Sequence, residues 1–145
     1  MPYLKFYSPE LSVSKKRRIA KELTRATMRS FQLSAEDRDR CTVHFVPFRM
    51  EDMAIGGKLM IDAPDPDYLL EVTDRLLTAE KKKNFVETVT PLLIRLLELE
   101  RKSWIARLLV RSAVAWKINI QFIEYKPEDS AIGGKFLSEL EQDAA

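Results

Sequence analysis

Residues Val43–Lys58, VHFVPFRMEDMAIGGK, return as IQFIEYKPEDSAIGGK at Ile120–Lys135, with 8 identities in 16 positions and Val/Ile, Phe/Tyr and Arg/Lys exchanges besides. A match of that length in a chain of 145 residues marks a duplicated unit, and an internal repeat constrains architecture before any propensity argument is made. Each copy opens as a strand-like apolar run and closes on Ala-Ile-Gly-Gly-Lys, at Ala54–Lys58 and Ala131–Lys135. The paired glycines permit tight turns. They lead into expected short strands at Leu59–Ile61 and Phe136–Leu140, which are free to pair across a subunit boundary.

Working outward, Pro2–Tyr7 reads as a strand, and Ser12 opens a helix whose apolar positions Ile19, Leu23, Ala26 and Phe31 recur at helical spacing. A strand over Thr42–Phe48 follows. The second half repeats this order: strand Leu69–Thr73, a helix capped by Thr78 and carrying Phe85, Val89, Leu92, Leu93 and Leu96, then strand Trp116–Glu124. Aligning Ser12 with Thr78 sets an offset of 66, whereas the glycine pairs are offset by 77, so 11 extra residues belong between the second helix and its last strand. They are expected within 100–115, where Trp104, Leu108 and Leu109 suggest a short additional helix. The reading is one domain, 1–145, made of units 2–62 and 68–140 joined by the Pro/Asp-rich Ala63–Asp67, with a frayed tail at Glu141–Ala145.

Each β-α-β crossover is expected to be right-handed with parallel strands. Two such units merge into one four-stranded mixed sheet with both helices on one face, an α/β (α+β) architecture. The other face is left to water or to other subunits. On the last strand Trp116, Ile118, Ile120 and Phe122 alternate with Lys117, Asn119 and Gln121, giving one apolar and one polar side.

Composition narrows the function classes. Apolar residues make up 46% of the chain, enough for a core, and 24 basic against 22 acidic residues leave a net charge of +2. That balance indicates neither a nucleic-acid nor a membrane partner. The basic runs Lys15–Arg18 and Lys81–Lys83 open amphipathic helices and read as solvated faces. Cys41 is alone, so no disulfide framework or Cys-rich zinc site is expected, and a reducing cytoplasm fits. No stretch reads as a signal peptide or a membrane span, and a soluble protein is expected.

A Met-Pro start, a β-α-β unit with a Ser/Thr-capped helix and a closing Glu-Asp-x-Ala-Ile-Gly-Gly run together resemble the tautomerase superfamily, above all 4-oxalocrotonate tautomerase. Because the run occurs in both halves, the chain resembles two short tautomerase subunits fused head to tail. The resemblance implies the fold that macrophage migration inhibitory factor and malonate semialdehyde decarboxylase share. It also implies a homotrimer of fused chains, a small carboxylate substrate, no metal or organic cofactor, and an N-terminal proline as the catalytic group. Here that residue is Pro2, once Met1 is removed. A free prolyl nitrogen is a secondary amine; partial desolvation and neighbouring cations disfavour its charged form and make it a usable base near neutrality. The second half has Tyr68 at the matching position, so one proline site per chain is expected.

The chain departs from the family pattern in its arginines. Leu11 and Leu77 stand where the oxo-acid tautomerases carry an arginine before the helix, and Thr42 and Asn119 fall at the strand arginine. Met53 and Ser130 replace an aromatic, Met53 being expected as an apolar pocket wall. Arg75, three residues before Thr78, resembles the first arginine of the decarboxylase's Arg-Pro-Arg-Ser run and is the leading carboxylate-binding candidate, since a guanidinium holds a carboxylate through two parallel hydrogen bonds. Arg40 and its repeat partner Lys117 are either contacts of a shifted anion site or solvated charges. His44, the only histidine, either donates to a substrate oxygen or is a plain surface residue. Asp37-Arg38 or Asp39-Arg40 lies near the decarboxylase's Asp-Arg pair, whereas Glu51-Asp52 and Glu128-Asp129 read as turn chemistry. The leading reading is therefore keto–enol tautomerisation of a 2-oxo acid with Pro2 as general base. Decarboxylation of a 3-oxo acid and a non-catalytic trimeric interaction protein are the alternatives.

Overall fold

The computed structural model describes residues 1–62, 66–99 and 115–143. Strand β1 (Tyr3–Ser8) is followed by helix α1 (Val13–Ser30) and strand β2 (Thr42–Pro47); strand β5 (Tyr68–Asp74), helix α2 (Ala79–Leu96) and strand β6 (Ile118–Glu124) repeat that order. Between the two sets lies a two-residue hairpin, β3 (Ala54–Ile55) with β4 (Lys58–Leu59). A second hairpin, β7 (Ala131–Ile132) with β8 (Lys135–Phe136), leads into a last helix, α3 (Leu137–Asp143). The expected insertion with Trp104, Leu108 and Leu109 lies outside the described residues, as do Ala63–Asp65 of the joint and the last two residues of the tail.

The main sheet runs β2-β1-β5-β6. β1 pairs parallel with β2, Tyr3 opposite Thr42, and β5 pairs parallel with β6, Tyr68 opposite Ile118. The central pair, β1 with β5, is antiparallel, with Tyr3 opposite Thr73 and Tyr7 opposite Leu69. Alternation along the strands decides the layers: Leu4, Phe6, Leu70 and Val72 turn to one face and are fully buried there by Ile19 and Leu23 of α1 and Phe85, Val89 and Leu93 of α2. Phe85 joins the layers, tilted on Phe31 at 5.4 Å and edge-on to Phe122 at 5.8 Å between ring centroids.

Both helices start where the sequence places their caps. The Ser12 hydroxyl accepts from the Lys15 amide at 3.2 Å and the Thr78 hydroxyl from the Lys81 amide at 3.3 Å, each satisfying a free first-turn N–H. Buried Thr27 gives its hydroxyl proton to the Leu23 carbonyl, which satisfies that hydroxyl inside the apolar face. The opposite sheet face carries no helix among the described residues. On it the Tyr7 hydroxyl donates to Glu71 at 2.9 Å, a bond that holds the phenol above its ordinary range.

Three local expectations are corrected. β6 begins at Ile118 rather than Trp116, because Trp116 and Lys117 sit in a turn and Trp116 is 84% exposed. Phe136–Leu140 keeps only Phe136 as strand, in β8: Glu139 accepts the Phe136 amide at 2.7 Å, and the chain coils from Leu137 into α3, which also takes in part of the expected tail. Leu59–Ile61 keeps only its first residue in β4 before a 3₁₀ turn over Met60–Asp62. The cause lies in the glycine pairs: Gly56 and Gly57 both have positive φ, which closes the hairpin on itself at once, Ala54 facing Leu59.

Replacing Phe85 by Ala removes the ring that ties α2 to α1 and to β6. Urea unfolding followed by circular dichroism is expected to give a loss of about 3–5 kcal/mol, with Phe85→Leu milder; a loss below about 1 kcal/mol would show that the layers meet elsewhere.

Candidate active site

Because β5 runs against β1, the start of β1 meets the end of β5 and, through β5, the end of β6. Pro2 is buried at that corner, and its carbonyl accepts the Thr42 amide at 3.2 Å. A cavity of about 420 Å³ opens there, lined by Pro2, Tyr3, Thr42, Thr73, Tyr125 and Ser130 among others. A second, of about 520 Å³ and more apolar, adjoins it and is lined by Arg75, Leu137, Leu140 and Glu141. Met1, Arg40 and Ile132 line both, so the two form one continuous hollow.

Of the residues singled out from sequence, Pro2, Arg40 and Arg75 are brought together. Arg40 closes the 3₁₀ turn Ala35–Arg40, which delivers it to the cavity mouth just ahead of β2. Arg75 comes directly after β5, and its guanidinium pairs with Glu141 of α3. That pair brings the last helix over the apolar cavity. His44 stands one step back, within 3.0 Å of the Tyr3 hydroxyl through Nδ1, with the two rings edge to face. Lys117 and Met53 are not part of the hollow. Lys117 precedes β6 at the Tyr68 end of the sheet, where it pairs with Asp67 at 3.0 Å. β2 leaves the sheet at Pro47, beside Ser8, and Met53 continues from that same far end. Ser130, the repeat partner of Met53, takes its place beside Pro2.

Asp37 and Asp39 line neither cavity. The Asp37 carboxylate accepts the Ser34 hydroxyl at 2.8 Å and the Ser34 amide at 3.2 Å, hydrogen bonds that hold it below the usual carboxylate range. It serves as a cap. Burial pushes the lone Cys41 thiol up, so it stays protonated behind the site and offers no nucleophile.

Two residues of the site were missed from the sequence. Asp74 is only 6% exposed, and its Oδ1 accepts both the amino-terminal ammonium of Met1 at 2.9 Å and the Arg75 amide at 2.8 Å. Tyr125, whose amide donates to the Asp74 carbonyl at 3.4 Å, has its phenol raised first by burial and then by the Asp74 charge, with Arg75 opposing. It is therefore an O–H donor in neutral solution. The available signal was the 66-residue offset, which sets Asp74 against Ser8, a carboxylate replacing a hydroxyl at a strand end.

No family model and no curated protein matches the chain. Solved structures do. A wild-type fused 4-OT forming an asymmetric trimer superposes with a TM-score of 0.74 at 16% identity, over 96% of this chain and 98% of that one. N1, a member of the cis-3-chloroacrylic acid dehalogenase family, gives 0.68 at 18% identity over 99% and 91%. Malonate semialdehyde decarboxylase gives 0.66 at 16% identity over 97% and 98%. These are tautomerase-superfamily structures, and the fold of this chain is theirs, a mixed four-stranded sheet with helices on one face.

If the Arg75–Glu141 pair holds α3 over the hollow, Glu141→Gln is expected to speed amide exchange in Leu137–Asp143 by about two- to five-fold, the range of a half-exposed ion pair. Unchanged exchange would show that the apolar contacts alone seat the helix.

Proposed function

We propose that the chain is an enzyme of the tautomerase type, one proline site per chain, in which Pro2 moves a proton between the carbon and oxygen ends of an enol of a small 2-oxo acid. The observation that carries this reading is the position of Pro2: buried at the start of a central strand, its ring held by the sheet, at the edge of a hollow that also presents Arg40 and Arg75. A proline at an amino terminus is a secondary amine on a rigid ring, so its nitrogen stays at one place relative to a bound substrate. The chemistry requires that Met1 be removed, since the Pro2 nitrogen is otherwise an amide.

Arg40 and Arg75 are assigned the carboxylate. A substrate carboxylate would compete with Glu141 for Arg75 and reproduce the same guanidinium–carboxylate contact. Leu137, Leu140 and Ile132 supply an apolar wall for the remainder of the substrate and exclude water from the proton transfer. Tyr125 offers its O–H to the oxygen on which charge develops. His44 orients Tyr3 rather than touching substrate. Lys117 and Met53 have no part in the site of their own chain. Met53 could wall the pocket only from a neighbouring chain of the homotrimer, an assembly we propose because the helix-free sheet face exposes Tyr3 and Ile123. Decarboxylation of a 3-oxo acid is the weaker reading, since neither Asp37 nor Asp39 reaches the hollow.

With protein lacking Met1 and phenylpyruvate enol as probe, Pro2→Ala is expected to lower kcat/KM by about 100-fold or more while the oligomer is retained. Arg75→Met is expected to raise KM by about ten-fold, the loss of a charged hydrogen bond. Full activity in Pro2→Ala would remove the proline from the mechanism and favour the interaction-protein reading.

A further inference from the structure

Neighbouring cations were expected to make Pro2 a base, yet the charge nearest the amino terminus is a carboxylate. Asp74 Oδ1 lies 2.9 Å from the Met1 ammonium and is only 6% exposed. Removal of Met1 takes that ammonium away and leaves a buried carboxylate with one hydrogen-bond donor among the described residues, the Arg75 amide. A buried charge left without its partner is costly. The guanidinium of Arg75 is already engaged by Glu141. The new terminal nitrogen, that of Pro2, lies one residue along the chain, a step of about 3.8 Å between α-carbons. Carried one residue further, the antiparallel register that sets Tyr3 opposite Thr73 sets Pro2 opposite Asp74, and an opposite charge within ~4–6 Å favours the charged form.

We propose that Asp74 is the charge partner of the mature amino terminus, replacing Met1 by the Pro2 ammonium, so that Pro2 rests in its protonated form at neutral pH and enters the reaction as an acid. The inference rests on the reading of Pro2 as the catalytic amine and assigns its resting state; Asp74 is a positioning residue that acts through Pro2. Among the described residues the other titratable groups around the corner are Tyr3 on β1 with His44 against it, Arg40 and Cys41 ahead of β2, Arg75 after β5, Glu124 ending β6, Tyr125 and Asp129 beyond it, and Glu141 on α3. Cys41 and Tyr125 are both raised by burial and stay neutral, Arg75 is balanced by Glu141, and Glu124 and Asp129 are exposed, so Asp74 is left as the near, buried charge. Arg40 is exposed to water, which screens it.

The consequence is an order of proton transfers. The Pro2 ammonium gives its N–H proton to the enol carbon, forming the C–H bond and leaving a protonated carbonyl. The carbonyl then returns its O–H proton to the nitrogen, so the keto acid leaves and the ammonium is restored with no net proton change. Ketonisation should therefore be carried by the ammonium, present below the titration midpoint of Pro2 and lost as pH rises through it.

The test is a pH titration of the Pro2 nitrogen by nitrogen-15 NMR in protein labelled at proline and lacking Met1. The chain has 7 prolines, and the nitrogens of the other six are amides that do not titrate. Asp74→Asn is expected to lower the midpoint by about one pH unit or more and to move the alkaline limb of phenylpyruvate ketonisation with it, while Asp74→Glu keeps both near the unmutated values. Equal midpoints in the unmutated chain and in Asp74→Asn would overturn the proposal. Should Asp74→Asn fail to fold, the carbon-13 carboxyl signal of Asp74 in the unmutated chain decides: it is expected to shift at the pH where Pro2 titrates, and no shift there contradicts the pairing. Absence of any enol turnover would defeat the proposed function, but the midpoints would still decide the role of Asp74.

Discussion

The antiparallel seam between β1 and β5 determines which residues can meet in this molecule. Tyr3 lies against Thr73 and Tyr7 against Leu69, so the first residues of β1 share a corner with the last residues of β5 and, by the parallel pairing of β5 with β6, with Glu124 and the run beyond it. Everything at the hollow descends from that seam. Pro2 arrives from the start of β1, Arg75 from just past the end of β5 with Asp74 behind it, and Tyr125, Ser130 and Ile132 from the run after β6. Were the seam parallel, the second glycine hairpin would emerge at the far end with Ser8, and Pro2 would face neither Arg75 nor the apolar wall of α3. The buried side chains of Leu4, Phe6, Leu70 and Val72 hold the seam in register, because a slip of one residue would turn all four out of the core.

Charge at the corner is arranged in opposed pairs rather than as a field of one sign. Asp74 faces the amino terminus, and Glu141 faces Arg75. Only Arg40 lines the hollow without a carboxylate on it among the described ion pairs. Under the proposed function, an incoming carboxylate takes the place of Glu141 on Arg75 at little net electrostatic cost. That exchange does not involve the carboxylate of Asp74, which faces the amino terminus. The side chains beside Arg75, Leu137, Leu140 and Ile132, make that part of the hollow apolar.

Much of the fold was legible because it rests on periodicity and on caps. Ile19, Leu23, Ala26, Phe31, Phe85 and Val89 were readable as core from helical spacing, and Ser12 and Thr78 as caps from their place before that pattern. The parallel pairing within each half came from the handedness of two crossovers. The features that stayed hidden depended on contacts distant in sequence. Glu141 is 66 residues from Arg75, and nothing local tells a helix-capping Glu139 from a tail residue, so α3 read as strand and fray. Trp116 fitted the alternation of β6 but belongs to the turn before it. Pro2, Arg40 and Arg75, singled out from the sequence, meet at the hollow, whereas Lys117 and Met53 do not line it. Repeat symmetry puts them in an equivalent position around Tyr68, at the other end of the sheet. Asp74 was invisible because an acidic residue closing a strand ordinarily serves a turn.

One covalent bond, Met1–Pro2, decides whether the group at the corner is an amine or an amide. The most direct measurement is the ketonisation rate of phenylpyruvate enol for two preparations of the same chain, one with Met1 removed and one in which it is retained, each established by intact mass. Turnover is predicted only in the chain that begins at Pro2. Equal rates in the two preparations would contradict a proline mechanism.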